Sequence, residues 1–487
     1  MSKLTKIYEK MKDGTLKKMV EETIWIYAYA KRYLPQMILY TLLGMGGILI
    51  SFGSSLVSKD LIDVITGQRV GELLKYFGLT IALSIFSLAF TQLTSFLNIM
   101  ISQKVDNELR QEMFEKIMVT DWESITKYHS GDLLARWAGD TSLIASGLLN
   151  YIPNAFMAML KFFGALYIVI RYDWTFAVFA LLSAPITLFM SRFLMERMRN
   201  NNDRSAKMQA RMNGFNQEAF VNMQTIKAFD LVPLYIQYLK GIQKDYLEMR
   251  IDFQKLTVKT SLLMSLVGML VSYSCYGWGI YRVFSGVITY GTMTLFLSMS
   301  GNLTSALNTL ISIVPQIISL TTSARRLMEI ESMPNEDYSL RPEASEFLHK
   351  HADDGISLKL EDLSYTYRAG TEVFAHTSLE AHPHEIIALV GPSGEGKTTM
   401  LRILLALLRP QEGESYLYSE NDDTIMEIAP YSRQMFAYVP QGNTMFSGTI
   451  AENLRKVKPE ATDEELIEVL NMACAMEFVE KMPDGMN

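Results

Sequence analysis

"LVGPSGEGKTTM" (residues 389–400) is the stretch on which the reading of this chain turns. Residues 391–398 fit the spacing GxxxxGK[ST], in which glycines let backbone N–H groups turn inward around phosphate oxygens while a following helix points its positive end at the same anion. The apolar "IIALV" (386–390) predicts a buried strand ending at Gly391, and "TTMLRILLALL" (398–408) predicts a helix behind the loop. Strand, loop and helix in register make a cradle for a nucleotide's phosphates, built from Gly391, Pro392, Ser393, Gly394, Glu395, Gly396, Lys397, Thr398 and Thr399. Lys397 is expected to reach the β and γ phosphates of ATP and Thr398 to ligate Mg²⁺.

The sequence ahead of the cradle is of another kind. Charge-free runs extend over Tyr33–Ser58, Tyr76–Gln103, Thr141–Leu160 (resuming at Phe162), Trp174–Ser191, Thr260–Tyr281 and Val283–Ala324. A hydrocarbon layer of about 30 Å takes roughly 20 helical residues, and a helix satisfies its own backbone there. Six spans are predicted. The connection between the second and third spans carries Lys104, Arg110, Lys116, Lys127 and Arg136, and the one between the fourth and fifth is richer still in Lys and Arg. The remaining connections hold few bases, so the two basic connections and the N-terminus are expected to be cytoplasmic. "KVDNELRQEMFEKIMVTDW" and "DYLEMRIDFQKLTVK" alternate charged and apolar residues at helical spacing, which predicts helices continuing past the bilayer.

Lys161 breaks "MAMLKFFGALYIVI" about ten residues before Arg171, near mid-bilayer at about 1.5 Å per residue. A central charge costs on the order of 2.5–3.5 kcal/mol on insertion scales, and none of the six runs holds an Asp or Glu to neutralise it. Either it faces an aqueous pathway and meets anionic groups of a passenger, or it bonds neighbouring carbonyls or snorkels.

Composition excludes other classes. With 487 residues, 49% of them hydrophobic, the chain holds two or three domains, and its formal charge of −7 argues against nucleic acid as a partner. Two distant cysteines, Cys275 and Cys474, imply neither a disulfide framework nor a metal cluster. The charged N-terminus lacks the apolar core of a cleavable secretion signal.

Residues 331–355, polar, acidic and proline-bearing, read as a linker, and "ISLKLEDLSYTYR" after it as a strand pair. Tyr367 lies about two dozen residues ahead of the cradle, where an aromatic ring can stack on a base. Downstream, "FAYVPQGNTMFSGTIAENL" offers a strand-like "FAYV" and then Gln441, a polar side chain able to approach Mg²⁺ and an attacking water.

In this order, "LSYTYR", "IIALVGPSGEGKTTMLRIL", "YVPQGNTMFSGTIAENL" and "FVEKMPDGMN" behind six spans resemble the ATP-binding cassette (ABC) exporters of the half-transporter kind, over nearly the whole chain. The resemblance implies a polytopic α-helical membrane domain of six transmembrane helices followed by an incomplete α/β P-loop nucleotide-binding domain. Its implied divisions are a cytoplasmic N-terminal segment with an elbow helix (1–33), the membrane domain (34–330), the linker (331–355) and the first part of the nucleotide-binding domain (356–487). Tyr367 becomes the adenine-stacking aromatic, residues 391–398 the Walker A loop, and Gln441 the Q-loop glutamine, with a catalytic and metal-proximal role. "GDLLARWAGD" (131–140) and "NQEAFVNMQTIKAF" (216–229) fall in the two cytoplasmic loops, with short coupling helices near Trp122–Tyr128 and Ser205–Gln217. The family's glycine before the Walker strand is replaced within "HPHE", which predicts a changed turn.

Such a protein continues into a signature sequence, a Walker B aspartate with a catalytic glutamate, and a switch histidine. All six histidines here precede Lys397, and the Asp463–Glu464 pair reads as a capped helix start rather than a strand end. The expectation is therefore a fragment or split reading frame of a half-transporter that binds ATP with little hydrolysis and works as a homodimer or heterodimer with another half-transporter. It would lie among lipid in the plasma membrane, its nucleotide domain cytoplasmic, exporting an amphiphile, drug, lipid or peptide. The rival expectation is a non-catalytic ATP-binding membrane partner or regulatory subunit.

Overall fold

The structure, a computed structural model, describes residues 15–67, 69–178, 204, 208–209, 211–367, 370–392, 394–440, 442 and 445–487. The chain divides into two compact units, Met1–Asn335 and Glu336–Asn487.

The first unit is helical: α1 (Thr15–Arg32), α2 (Leu34–Thr66), α3 (Val70–Val119), α4 (Thr141–Tyr172), α5 (Val232–Phe284) and α6 (Tyr290–Glu331) are its long elements. Pro35, in the first turn of α2, lacks an N–H just where a helix has no use for one, and so separates α1 from α2. Among the described residues, four helical stretches are long and apolar enough to cross a membrane: Leu34–Thr66, Val70–Val119, Ser130–Tyr172 and Val232–Phe284. Among the described residues, none in the most apolar stretch of α3 or of α5 is buried within the chain. Faces of that size are stable against lipid rather than water. The sixth expected run lies mainly in α6, a continuous helix of 42 residues. Residues 179–191 of the fourth run, and 205–207 and 210 of the second expected coupling element, lie outside the described residues.

Helix length accounts for the long connections. The 50 residues of α3 extend about 75 Å at ~1.5 Å per residue, more than twice a hydrocarbon layer of about 30 Å. Its last third buries Val105, Leu109 and Met113, four residues apart, in a core with Tyr29, Tyr33, Ile144, Leu148 and Leu327. "KVDNELRQEMFEKIMV" is thus helix to Val119, and "DYLEMRIDFQKLTVK" lies wholly within α5. Within the apolar part, α2 and α4 approach closely through glycine: a Cβ at Gly44 would stand 2.0 Å from Met157 Sδ, and one at Gly164 2.5 Å from a ring carbon of Phe52.

Ion pairs gather at the two ends of this bundle. At one end, the Asp63 carboxylate accepts from Gly291 N (2.8 Å) and Thr289 Oγ1 (2.9 Å), and Arg282 donates to Asp173 at 2.6 Å. At the other, a π-helical turn (Ala135–Asp140) sets Arg136 between Asp132 (3.0 Å) and Glu329 (2.8 Å), while Arg326 bonds Asp132 and Asp140. Part of the expected first loop, "GDLLARWAGD", is thereby tied to the end of α6.

The second unit is built on a four-stranded antiparallel sheet of order β2-β1-β3-β4, from β1 (Ser357–Thr366), β2 (Glu372–Ala381), β3 (Glu412–Ser419) and β4 (Asp422–Glu427). "ISLKLEDLSYTYR" forms one strand, β1, and not a pair; it bends at Asp362, where φ is 55° and the register with both neighbours shifts. The stretch 331–355, read as a linker, contains α7 (Arg341–Lys350), whose Phe347 enters the core with Leu360, Leu363 and Ile403.

Two expected strands do not form. Residues 386–390 and 436–439 have no regular structure, and Ile386, Val390 and Val439 are exposed by 95%, 88% and 93%. A strand needs a neighbour to complete its ladder, and no described strand runs beside either segment. Asp463–Glu464 does open a helix, Asp463–Met472, with Thr462 and Glu465 bonding each other's backbone N–H groups in a capping box.

Candidate nucleotide-binding site

The 391–396 loop leads from the irregular 385–390 segment into α8 (Lys397–Leu404). Three glycines bend it: Gly391, Gly394 and Gly396 carry φ of 152°, 98° and 90°, in the left-handed region that other residues rarely adopt. Gly396 is the N-cap of α8 and is packed from beneath, for a Cβ there would lie 2.5 Å from Val373 Cγ1 and 3.0 Å from Phe374 Cζ. Around Gly394 nothing lies within 4 Å of such a Cβ. The loop therefore rests on β2 below and is open above.

Charge is concentrated at that opening. The Lys397 ammonium curls over the loop, donating to the carbonyls of Gly391 (2.7 Å) and Pro392 (2.6 Å). The N-terminal N–H groups of α8 point the same way and carry the positive end of its dipole. Thr398, next in sequence, is exposed, whereas Thr399 is buried. The Glu395 carboxylate folds back toward Gly391, with Oε2 only 2.6 Å from where a Cβ at Gly391 would be. A lysine, the N-terminal end of a helix, an exposed threonine and an open face at Gly394 together fit the triphosphate of ATP.

Tyr367 is brought to this site. Its ring packs edge-on against Tyr365 at 5.1 Å, and its hydroxyl pairs with Thr399 Oγ1 at 3.1 Å. Arg402, one turn along α8, donates to the same hydroxyl at 3.4 Å. Thr399 thus spends its hydroxyl on Tyr367, and the two fix β1 to the first turn of α8. Gln441 and Ser393 lie outside the described residues.

Sequence reading missed the groups that hold the far end of α8. Arg433 donates to the carbonyls of Leu405 (2.7 Å) and Ala406 (2.8 Å) and makes a two-point pair with the half-buried Glu336 at 2.5 and 2.7 Å. It thus satisfies carbonyls left over where the helix ends, with Ala406 turned to φ 50°. No local pattern betrays an arginine and a glutamate 97 residues apart. In the turn at "HPHE", His384 adopts φ 63° and His382 Nδ1 lies 2.8 Å from Glu420 Oε1. Among the described residues no cluster of His, Cys, Asp and Glu could hold a metal ion by itself. Cys275 and Cys474 are both free, the first buried and the second exposed.

Apolar helices of membrane-crossing length, followed by a small antiparallel sheet bearing a phosphate loop, define a transporter with an attached nucleotide-binding unit. Sequence comparison specifies the class: residues 37–307 match the model of the ABC transporter transmembrane region, and residues 374–486 the model described as ABC transporter. The chain belongs to the ABC transporter family, as an exporter-type half-transporter and a multi-pass membrane protein, and its second region implies ATP binding. It is similar to a multidrug resistance ABC transporter ATP-binding and permease protein of Lactococcus lactis, 26% identical over 420 residues, or 84% of this chain and 68% of the relative. An uncharacterized ABC transporter ATP-binding protein of Bacillus subtilis is 23% identical over 97% of the chain and 76% of its own length. A fatty acid ABC transporter ATP-binding/permease protein of Mycobacterium tuberculosis is 24% identical over 79% of the chain and 59% of its own length.

Proposed function

We propose that this chain is one half of an ATP-driven exporter that works as a dimer and moves an amphiphilic passenger outward across the plasma membrane. Two of the similar proteins are named as a multidrug and a fatty acid transporter, and a fatty acid pairs an apolar chain with a polar group. The observation that carries the reading is the Lys397 ammonium lying over a glycine loop at the mouth of α8, in a chain whose other unit exposes apolar helices.

In this reading Gly391–Thr398 hold the phosphates, with Lys397 exchanging the carbonyls of Gly391 and Pro392 for phosphate oxygens. Thr398 offers its hydroxyl to Mg²⁺, Tyr367 presents its ring to the adenine, and Gln441 orients water and metal. ATP, when bound, supplies the free energy that drives the change of access. The membrane unit has six crossings, and the basic connections and the nucleotide-binding unit are cytoplasmic. These 487 residues alone bind nucleotide without useful turnover, since phosphoryl transfer to water needs a group that activates the water and Gln441 is the one candidate the sequence offers.

Binding of a fluorescent ATP analogue by the purified full chain, with Mg²⁺, tests the site. Lys397→Ala is expected to weaken it at least about a hundredfold, the loss of a charge-assisted contact to a polyanion. Equal binding by the variant would overturn the assignment. Orientation is read on the exposed Cys474: a membrane-impermeant maleimide should label it in permeabilised cells and leave it untouched in intact ones.

A further inference from the structure

A cavity of about 260 Å³ opens in the apolar part of the first unit, between α2, α3, α4 and α6, and Lys161 of α4 lines it. Its other polar lining comes from Ser51, Ser87, Thr91, Thr94 and Asn302, and among the described residues no carboxylate borders it. Thr91 and Thr94 spend their hydroxyl protons on carbonyls of their own helix, at 2.8 and 2.9 Å. Among the described residues Ser51, Ser87 and Asn302 make no side-chain hydrogen bond. Lys161 has one, a long contact of 3.4 Å to Ser305 Oγ, and no ion pair. Elsewhere in the unit the buried charges among the described residues are paired, as Arg136 with Asp132 and Glu329, Asp173 with Arg282 and Glu22 with Arg325. Lys161 stands apart as a cation with unspent donors, surrounded by neutral donors with no fixed partner.

The rest of the lining is apolar, with Ile48, Phe52, Phe90 and Met157. At Gly47 the wall is bare backbone: a Cβ there would find one atom within 4 Å, Phe90 Cβ at 4.0 Å. An isolated ammonium at this depth is offset best by a single negative charge, and a hydroxyl or amide donor adds direction to the contact. A dianion would leave one charge uncompensated in a low dielectric. About 260 Å³ takes a small headgroup and a short piece of chain, so a longer tail must leave between the helices.

We propose that this cavity binds the monoanionic headgroup of a single-chain amphiphile, with Lys161 as the counter-ion, Ser51, Ser87 and Asn302 as donors, and the tail running along Phe52 and Phe90. The proposal rests on the exporter reading and gives its passenger a chemical class.

The test is equilibrium binding of a spin-labelled long-chain carboxylate to the full chain in nanodiscs of zwitterionic phosphatidylcholine, beside the corresponding alcohol. Lys161→Met and Lys161→Gln, which remove a charge from the bilayer and so favour insertion, are expected to weaken carboxylate binding about ten- to a hundredfold, the worth of a charged hydrogen bond. The alcohol should bind both variants and the wild type alike. Gly47→Leu, which fills the cavity, should abolish carboxylate binding with Lys161 in place. Acetate at the same concentration should fail to compete. Unchanged binding in either Lys161 variant or in Gly47→Leu, equal affinity for the alcohol in the wild type, or full displacement by acetate would each overturn the proposal. Nucleotide binding on the same samples separates the two readings. Loss of Lys161 dependence with ATP binding intact refutes the headgroup site alone, and absence of ATP binding with Lys161 dependence intact refutes the exporter reading alone.

Discussion

Replacing Gly396 by alanine tests whether the shape of the phosphate loop is set by what packs beneath it. The residue carries φ 90° at the N-cap of α8. A non-glycine residue in the left-handed region costs about 1–2 kcal/mol. The new Cβ must also displace Val373 Cγ1 from 2.5 Å and Phe374 Cζ from 3.0 Å, and overpacking of that kind costs about 1–3 kcal/mol. Together the penalty is about 2–5 kcal/mol. If the loop relieves it by leaving its phosphate-ready form, affinity falls with the population of that form, and each ~1.4 kcal/mol is worth tenfold. Gly396→Ala should therefore weaken binding of a fluorescent ATP analogue by about thirtyfold or more. Gly394→Ala is the internal control. At φ 98°, with nothing within 4 Å of its Cβ, it bears the backbone penalty alone, and about five- to thirtyfold is expected. Binding by the full chain in detergent, with thermal unfolding followed alongside, reads both. The reasoning fails if Gly396→Ala binds nucleotide as tightly as the wild type, or if Gly394→Ala is the more damaging of the two.

Two further outcomes are expected. Arg433→Ala leaves Glu336, its side chain 8% exposed, without its counter-ion and strips the carbonyls of Leu405 and Ala406 just past α8; about 2–4 kcal/mol should be lost, seen as a lower melting temperature that Glu336→Gln partly restores in the double variant. The Lys350 ammonium, hydrogen-bonded to Asp422, together with the Thr424 side chain pulls that carboxyl down to about 2, below its ordinary value of about 3.9. The sign follows from a depressed carboxylate: the link is fully present above about pH 3.9 and is lost as pH falls through about 2. A carbon-detected NMR titration should place the Asp422 midpoint near 2 in the wild type and higher in Lys350→Ala.

What the sequence made legible is what is local. The Walker spacing fixes glycines, lysine and helix within eight residues, and the structure has them as one loop and one helix. Long apolar runs were equally plain, because length and the absence of charge are enough to mark a helix that lies in lipid. "IIALV" and "FAYV" were misread as strands because an apolar run records only a taste for burial, whereas a strand exists through a neighbour the run cannot specify. Helix α7 was hidden for the opposite reason: Ala344 and Phe347, three apart, are the residues it buries, and they sit in a polar stretch that looks like a linker. Tyr367 was legible as an aromatic at a useful distance, but its hydroxyl contact with Thr399 joins residues 32 apart and needed the fold.

The distribution of charge in the membrane unit ties these observations together. Where charged side chains are buried at the bundle ends, each sits within hydrogen-bonding distance of an opposite charge, as Arg136 and Asp173 show. A paired charge at an end is near water and costs little. Lys161 differs on both counts, being about ten residues from the end of α4 and without an ion pair among the described residues. At the proposed mid-bilayer depth a charge costs on the order of 2.5–3.5 kcal/mol, which a methionine in its place would remove. Among the described residues no carboxylate lines the space around the ammonium, which is left with neutral donors and an opening. A cation without an ion pair among the described residues, beside an open cavity, makes physical sense when its partner arrives from outside the chain, and a transporter is the kind of protein in which such a partner comes and goes.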